Sequence, residues 1–276
     1  MILQTGLAPA SNSDAESTPP DRVPYTACPL CKHEDFGFLR EDDCSRHPSW
    51  APPLQPVMRW MQCRACEHVF IEGPFTEAAL QTVFAVTQNN QAAGAGIEAN
   101  RAISARMIEK VLPYADSGAW LDVGFGNGSL MFTADEYGFQ TTGLDLRQGE
   151  VDRMRAFGFD AHAIDIVDAG FTDRFDVISM ADVLEHTPDP VAVLQAAHDA
   201  LRAGGILFLS MPNADAFLWQ AMTAQKANPY WAELEHYHNF GRKRLCALLS
   251  ETGFATVRYG VSERYRCCME VIARKI

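Results

Sequence analysis

Between Ala119 and Leu130 the chain reads Ala-Trp-Leu-Asp-Val-Gly-Phe-Gly-Asn-Gly-Ser-Leu, and no other stretch constrains the fold as tightly. Its first half is apolar apart from Asp122 and reads as a short buried strand. Gly124, Gly126 and Gly128 follow at every second position, where missing β-carbons let the backbone approach a ligand closely. Ser129 to Tyr137 then has a helical pattern, and Gly138 is placed to end it. A strand, a glycine turn and a helix in that order present backbone N–H groups to a carboxylate or phosphate. The spacing departs from the dinucleotide fingerprint Gly-x-Gly-x-x-Gly, which needs Gly or Ala where this chain has Ser129. Taken alone, the segment also fits a plain tight turn of another α/β protein.

The residues that follow narrow the choice. Gln140 to Leu146 reads as a second strand ending in Asp145, 17 residues past Gly128. An acid at such a tip can accept both hydroxyls of a ribose, although a lone aspartate there is ordinarily a turn residue or a cap. A helix over Glu150 to Phe157, closed by Gly158, leads to a short third strand near Phe159 to Ala163. Phe175 to Met180 is apolar apart from Asp176 and Ser179, as in a strand covered on both faces. Asp189 followed by Pro190 is an N-cap with proline in the first helical position. That helix runs to Arg202 and gives way, after Gly204 and Gly205, to a strand over Ile206 to Ser210. A helix over Arg242 to Thr252 precedes two strands, Phe254 to Val261 and Cys267 to Ala273.

Asp122 to Gly128 resembles the acidic-x-Gly-x-Gly-x-Gly signature of class I S-adenosylmethionine-dependent methyltransferases. Val183-Leu-Glu-His-Thr-Pro-Asp-Pro190 is similar to the Val-Leu-x-His-x-x-Asp-Pro stretch of their small-molecule members, and the matches together cover roughly residues 97–276. The resemblance implies an α/β fold, a Rossmann-like seven-stranded methyltransferase sheet, with its last strand inserted backwards beside strand five. It implies S-adenosylmethionine as cofactor, with its methionine end in the glycine turn and its amino group held by Asp122. By the same resemblance Gly124, Phe125, Gly126, Asn127, Gly128, Asp145, Leu146, Asp165, Ile166 and Ala181 line the cofactor. Asp165 would meet the adenine amino group and Ile166 would cover the ring, with Asp168 and Asp173 as alternatives for the acid. Met180-Ala-Asp-Val183 lacks the Asn/Asp-Pro-Pro-aromatic sequence of many N-methyltransferases, which disfavours that subclass.

Ahead of this domain stand Cys28-Pro-Leu-Cys31-Lys-His33 and Cys63-Arg-Ala-Cys66-Glu-His68, two copies of Cys-x-x-Cys-x-His. Two such pairs suit tetrahedral Zn²⁺, with sulfurs about 3.7 Å apart, better than redox chemistry. Four filled positions make the ion structural, with Cys28, Cys31, Cys63 and Cys66 as ligands and His33, Cys44, His47 and His68 as possible substitutes. The intervening segment holds Pro48, Pro52, Pro53 and Pro56, which forbid a helix, and tryptophans that pack the module. Several sugar and secondary-metabolite methyltransferases resemble this layout; the sugar C-methylating ones carry a further C-terminal domain, so C-methylation is disfavoured. The expected division is an arm over 1–24 of disordered composition, a small N-terminal zinc-binding module over 25–72, and a helical linker or lid over 73–110. The cofactor domain then spans 111–276. Helices are expected over Phe75 to Val86 and Ile97 to Leu112, with Asn89, Asn90 and Gln91 read as linker ahead of the alternative that they reach the cofactor site.

A formal net charge of -12 repels phosphate backbones, so nucleic acid is disfavoured as a partner. The N-terminus has no secretion-signal pattern and no apolar run approaches about 20 residues, so a cytoplasmic protein without a membrane partner is expected. Residues 213–241 are aromatic-rich, with Phe217, Trp219, Tyr230, Trp231, Tyr237 and Phe240. Singly these are core residues; as a segment they suit a lid over a small-molecule acceptor. A hydroxyl acceptor needs a base, and His186, His236 and His238 are the candidates. O-methylation of a sugar or secondary metabolite is the leading expectation. C- or N-methylation, a non-catalytic S-adenosylmethionine-binding scaffold, and an RNA or protein methyltransferase compete with it; no oligomeric state is implied.

Overall fold

The computed structural model describes residues 21–84 and 91–276. Most of the expected arm, together with Val86, Asn89 and Asn90, lies outside that range. Arg22 is placed and buried, its guanidinium 3.7 Å from the centre of the Phe75 ring.

Two sheets organise the chain. The smaller contains β1 (Phe36–Asp43), β2 (Val57–Cys63), β3 (Val69–Ile71) and β9 (His238–Asn239), in that order. Its fourth strand comes from 213–241, so the module is not confined to 25–72. The helix α1 (Glu77–Phe84) follows β3. The larger sheet has seven strands, built from β4 (Ala119–Val123), β5 (Gln140–Leu144), β6 (Asp160–His162), β7 (Phe175–Ala181), β8 (Leu201–Pro212), β10 (Phe254–Val261) and β11 (Cys268–Lys275). Their order is β10-β11-β8-β7-β4-β5-β6, and β11 runs antiparallel to β8, as the family resemblance implies.

Side chains alternate across this sheet with period two. Trp120, Val177, Ile206 and Phe208 pack towards α2 (Ile97–Val111) and α3 (Ser129–Glu136). Leu121, Ile178, Leu207 and Leu209 pack with α5 (Pro190–Ala200) and α7 (Arg242–Glu251). The remaining helices are α4 (Gln148–Ala156) and α6 (Phe217–Ala224). Asp189 caps α5 as expected, accepting the Val191 and Ala192 N–H groups. Strand five starts earlier than Ile206: Leu201 is already extended and pairs with Phe175, and Gly204 (φ +74°) is accommodated inside the strand.

A second core joins the module to the aromatic segment. Trp60, Ile71 and Phe75 pack with Trp219, Trp231 and Tyr237, and Trp60 Nε1 donates to the Trp231 carbonyl at 2.8 Å. These aromatics complete a core, whereas Phe217 is 86% exposed.

Candidate functional site

Parallel register brings Val123, Leu144 and His162 side by side, so the segments after β4, β5 and β6 meet at one edge of the sheet. There the N–H groups of Gly124 and Phe125 donate to the Leu144 carbonyl. Gly124, Gly126 and Gly128 all take positive φ (66°, 58° and 81°), a region costly to residues with a β-carbon. A β-carbon on Gly124 would strike Val183 at 2.8 Å, whereas one on Gly126 would meet nothing closer than 4.0 Å and would fill open space beside the turn.

Asp122 is 3% exposed beneath this turn. Trp120 Nε1 donates to Ser179 Oγ (2.8 Å), and Ser179 in turn donates to Asp122 Oδ1 (2.6 Å). Burial pushes the Asp122 carboxyl up to about 7, against the Ser179 hydrogen bond and the nearby Arg264. A carboxylate short of donors in an apolar setting fits a cationic amino group. At the tip of β5, Asp145 accepts the Gly126 N–H (3.3 Å) and two bonds from the Arg147 guanidinium (2.8 and 2.7 Å). Arg147 also reaches the carbonyls of Gln91 and Gly126, and Gly94 N–H donates to Asn127, tying the 91–96 segment to the turn. Phe125 is buried, and the Asn127 side chain accepts from Ser129 and donates to the Ala95 carbonyl. Asp165 accepts the Val167 N–H, Ile166 is buried, Leu146 is exposed and Ala181 ends β7 half-buried.

The turn after β7 carries the second half of the site. Asp182 sits at φ +57°, its carboxylate 3.1 Å from Arg264. Glu185 is 1% exposed, and burial together with Asp182 drives its carboxyl well above the usual range. Its backbone carbonyl accepts the Tyr237 N–H at 2.8 Å, which pins the aromatic segment to this turn. The His186 and His236 rings meet edge to face with centroids 4.6 Å apart, and burial pushes His236 well below its ordinary value. His238 does not join them. One of its nitrogens meets Thr187 O (2.9 Å) and the other His68 Nε2 (3.0 Å), and it is 1% exposed. With both nitrogens engaged, His238 links His68 to the turn after β7 and, unlike the base expected of it, has no free lone pair in this arrangement. Ser179, Arg147 and Glu185 have no role in the sequence reading. A hydroxyl inside an apolar strand and an acid beside His186 are the signals that mark two of them.

The four cysteines converge as expected. Cys28 and Cys66 sulfurs are 3.7 Å apart, Cys31 and Cys63 are 3.6 Å apart, and all four lie within 4.8 Å of one another. About 3.8 Å is the edge of a tetrahedron with 2.3 Å zinc–sulfur bonds. The knuckles match in backbone too: Cys28 N–H donates to His33 O, Cys63 N–H to His68 O, and Lys32 and Glu67 both take φ +59°. His33, Cys44, His47 and His68 all stand outside this cluster.

A family model described as a methyltransferase domain matches residues 98–259. The ubiquinone biosynthesis O-methyltransferase of Idiomarina loihiensis is 35% identical over 107 residues, 36% of this chain and 44% of that protein. The Vibrio cholerae protein of the same name is 31% identical over 134 residues, 43% of this chain and 53% of its own. The chain thus spans about half the length of the curated relatives it matches. Among solved structures, the Burkholderia thailandensis 1,6-didemethyltoxoflavin-N1-methyltransferase with bound S-adenosylhomocysteine aligns with a TM-score of 0.54 at 19% identity. That alignment covers 76% of this chain and 96% of the other, a likeness of fold. With more than half of its length inside one family model, the chain belongs to the methyltransferase-domain family.

Proposed function

We propose that the protein is an S-adenosylmethionine-dependent methyltransferase acting on an oxygen of a small hydroxylated acceptor, a sugar or secondary metabolite. The observation that carries this is a juxtaposition: Val183 packs against Gly124, so the donor turn and the Glu185–His186–His236 cluster share one sheet edge. When bound, the donor supplies an electrophilic methyl on a sulfonium. Asp122 orients its amino group and Asp145 its ribose, while the open face at Gly126 admits the chain between them. Alignment of acceptor oxygen and methyl then provides most of the rate effect. The cluster after β7 stands where the acceptor hydroxyl has to lose its proton. The O-methyltransferase names of the curated relatives support oxygen as the atom methylated. The four cysteines hold a structural Zn²⁺, with no position left for water.

The test is calorimetry with S-adenosylhomocysteine, followed by labelled methyl transfer to a panel of sugars and phenolic metabolites. Saturable donor-product binding and a labelled ether product are expected. Binding without transfer to any acceptor would reduce the protein to a scaffold, and absence of binding by folded protein would end the enzyme reading.

A further inference from the structure

We propose that Glu185, His186 and His236 form a second metal site, for a divalent first-row transition ion, on the acceptor side of the donor turn. One ligand atom from each lies within 4.8 Å of the others. Glu185 is 1% exposed, and neither carboxylate oxygen has a hydrogen-bond partner among the described residues. Protonation would not cure this, since the neutral acid would still leave an O–H and a C=O unpaired at about 1–3 kcal/mol each. His236 Nδ1 is likewise buried without a partner among the described residues. These three buried atoms keep ligating capacity for a bound species.

The histidine geometry suits a cation. His186 Nδ1 lies 3.0 Å from the Glu235 carbonyl. A carbonyl only accepts, so the proton sits on Nδ1 and Nε2 offers a lone pair. This outer hydrogen bond is the one that metal-bound histidines use to fix their tautomer. Asp182 Oδ1, also buried and unpartnered among the described residues, adds negative charge next to the cluster. One carboxylate and two imidazoles suit Mn²⁺, Fe²⁺, Co²⁺ or Zn²⁺. Three protein ligands leave positions open, unlike the closed four-cysteine set.

Its role rests on the methyltransferase reading above. An acceptor hydroxyl reaching an open position would release its proton to solvent at a lower pH. Its oxygen would then attack the sulfonium methyl, forming the C–O bond as the C–S bond breaks and the electron pair returns to sulfur.

Mn²⁺ avoids thiolates, so its binding to the full chain, read as loss of the free-ion EPR signal, reports this site apart from the cysteines. One Mn²⁺ per chain is expected, weakened at least about tenfold in both Glu185→Gln and His236→Asn. S-adenosylhomocysteine affinity serves as the check of fold, and His186→Asn replaces any variant that fails it. No saturable Mn²⁺ or Co²⁺ binding beyond the cysteine cluster, or undiminished affinity in either folded variant, would overturn the site. Metal binding without methyl transfer would leave the site standing and remove the methyltransferase reading; undiminished transfer by metal-free enzyme would leave that reading standing and overturn the metal's role in it.

Discussion

Asp122 is a buried acid whose proposed contact with the donor's amino group would depend on pH. Its carboxyl titrates near 7 in the fold, against about 3.9 in an unfolded chain. The native state therefore holds the extra proton between those values, and ligand-free stability falls as pH rises through that window, levelling above about 7. A cationic amino group favours the ionised acid, so affinity for S-adenosylhomocysteine should rise with pH up to about 7 and then flatten. Asp122→Asn should weaken binding about tenfold and abolish the slope, as expected for losing a charge-assisted contact. Calorimetry across that range checks both, and a flat wild-type profile would detach Asp122 from the amino group. His186 and His238 make the complementary point. The first keeps a free lone pair because a carbonyl fixes its tautomer, whereas the second has none to offer.

Among the elements, β2 anchors the second core through Trp60. Trp60 is fully buried, meets Trp231 edge to face at 5.6 Å and donates to that residue's carbonyl. Trp60→Ala removes the ring and orphans the carbonyl, so a loss of about 3–5 kcal/mol is expected. Thermal or urea denaturation followed by near-UV circular dichroism measures it, and a loss below about 1 kcal/mol would show that the second core is not cooperative. The short strand β9 matters in a different way. Two residues pair with β3, and the preceding Tyr237 and His236 meet Glu185 and His186 in the turn after β7.

At the scale of the molecule, the small sheet and the aromatic segment share one core that is hydrogen-bonded to the turn after β7. Cys63→Ser should therefore cost about one equivalent of zinc by metal analysis and the tryptophan near-UV signal. It should leave S-adenosylhomocysteine affinity within about threefold, because the donor turn is built by β4, β5 and α3; joint loss of donor binding would refute that separation. No helix among the described residues is long and apolar enough to cross a membrane. Local chemistry made the seven-stranded half legible in advance. Glycines at alternate positions, an acid at a strand tip and Asp-Pro at a helix start each act over a few residues, and so do the paired Cys-x-x-Cys turns. Pairing of β9 with β3, engagement of His238 by His68, and convergence of Glu185 with His236 bring together residues far apart in the chain. No periodicity encodes such contacts, because burial and unsatisfied polar atoms exist only once two distant segments share a core. The sequence by itself determined the glycine turn and the cysteine knuckles; only the tertiary structure decided that His186 meets Glu185 and His236 while His238 pairs with His68.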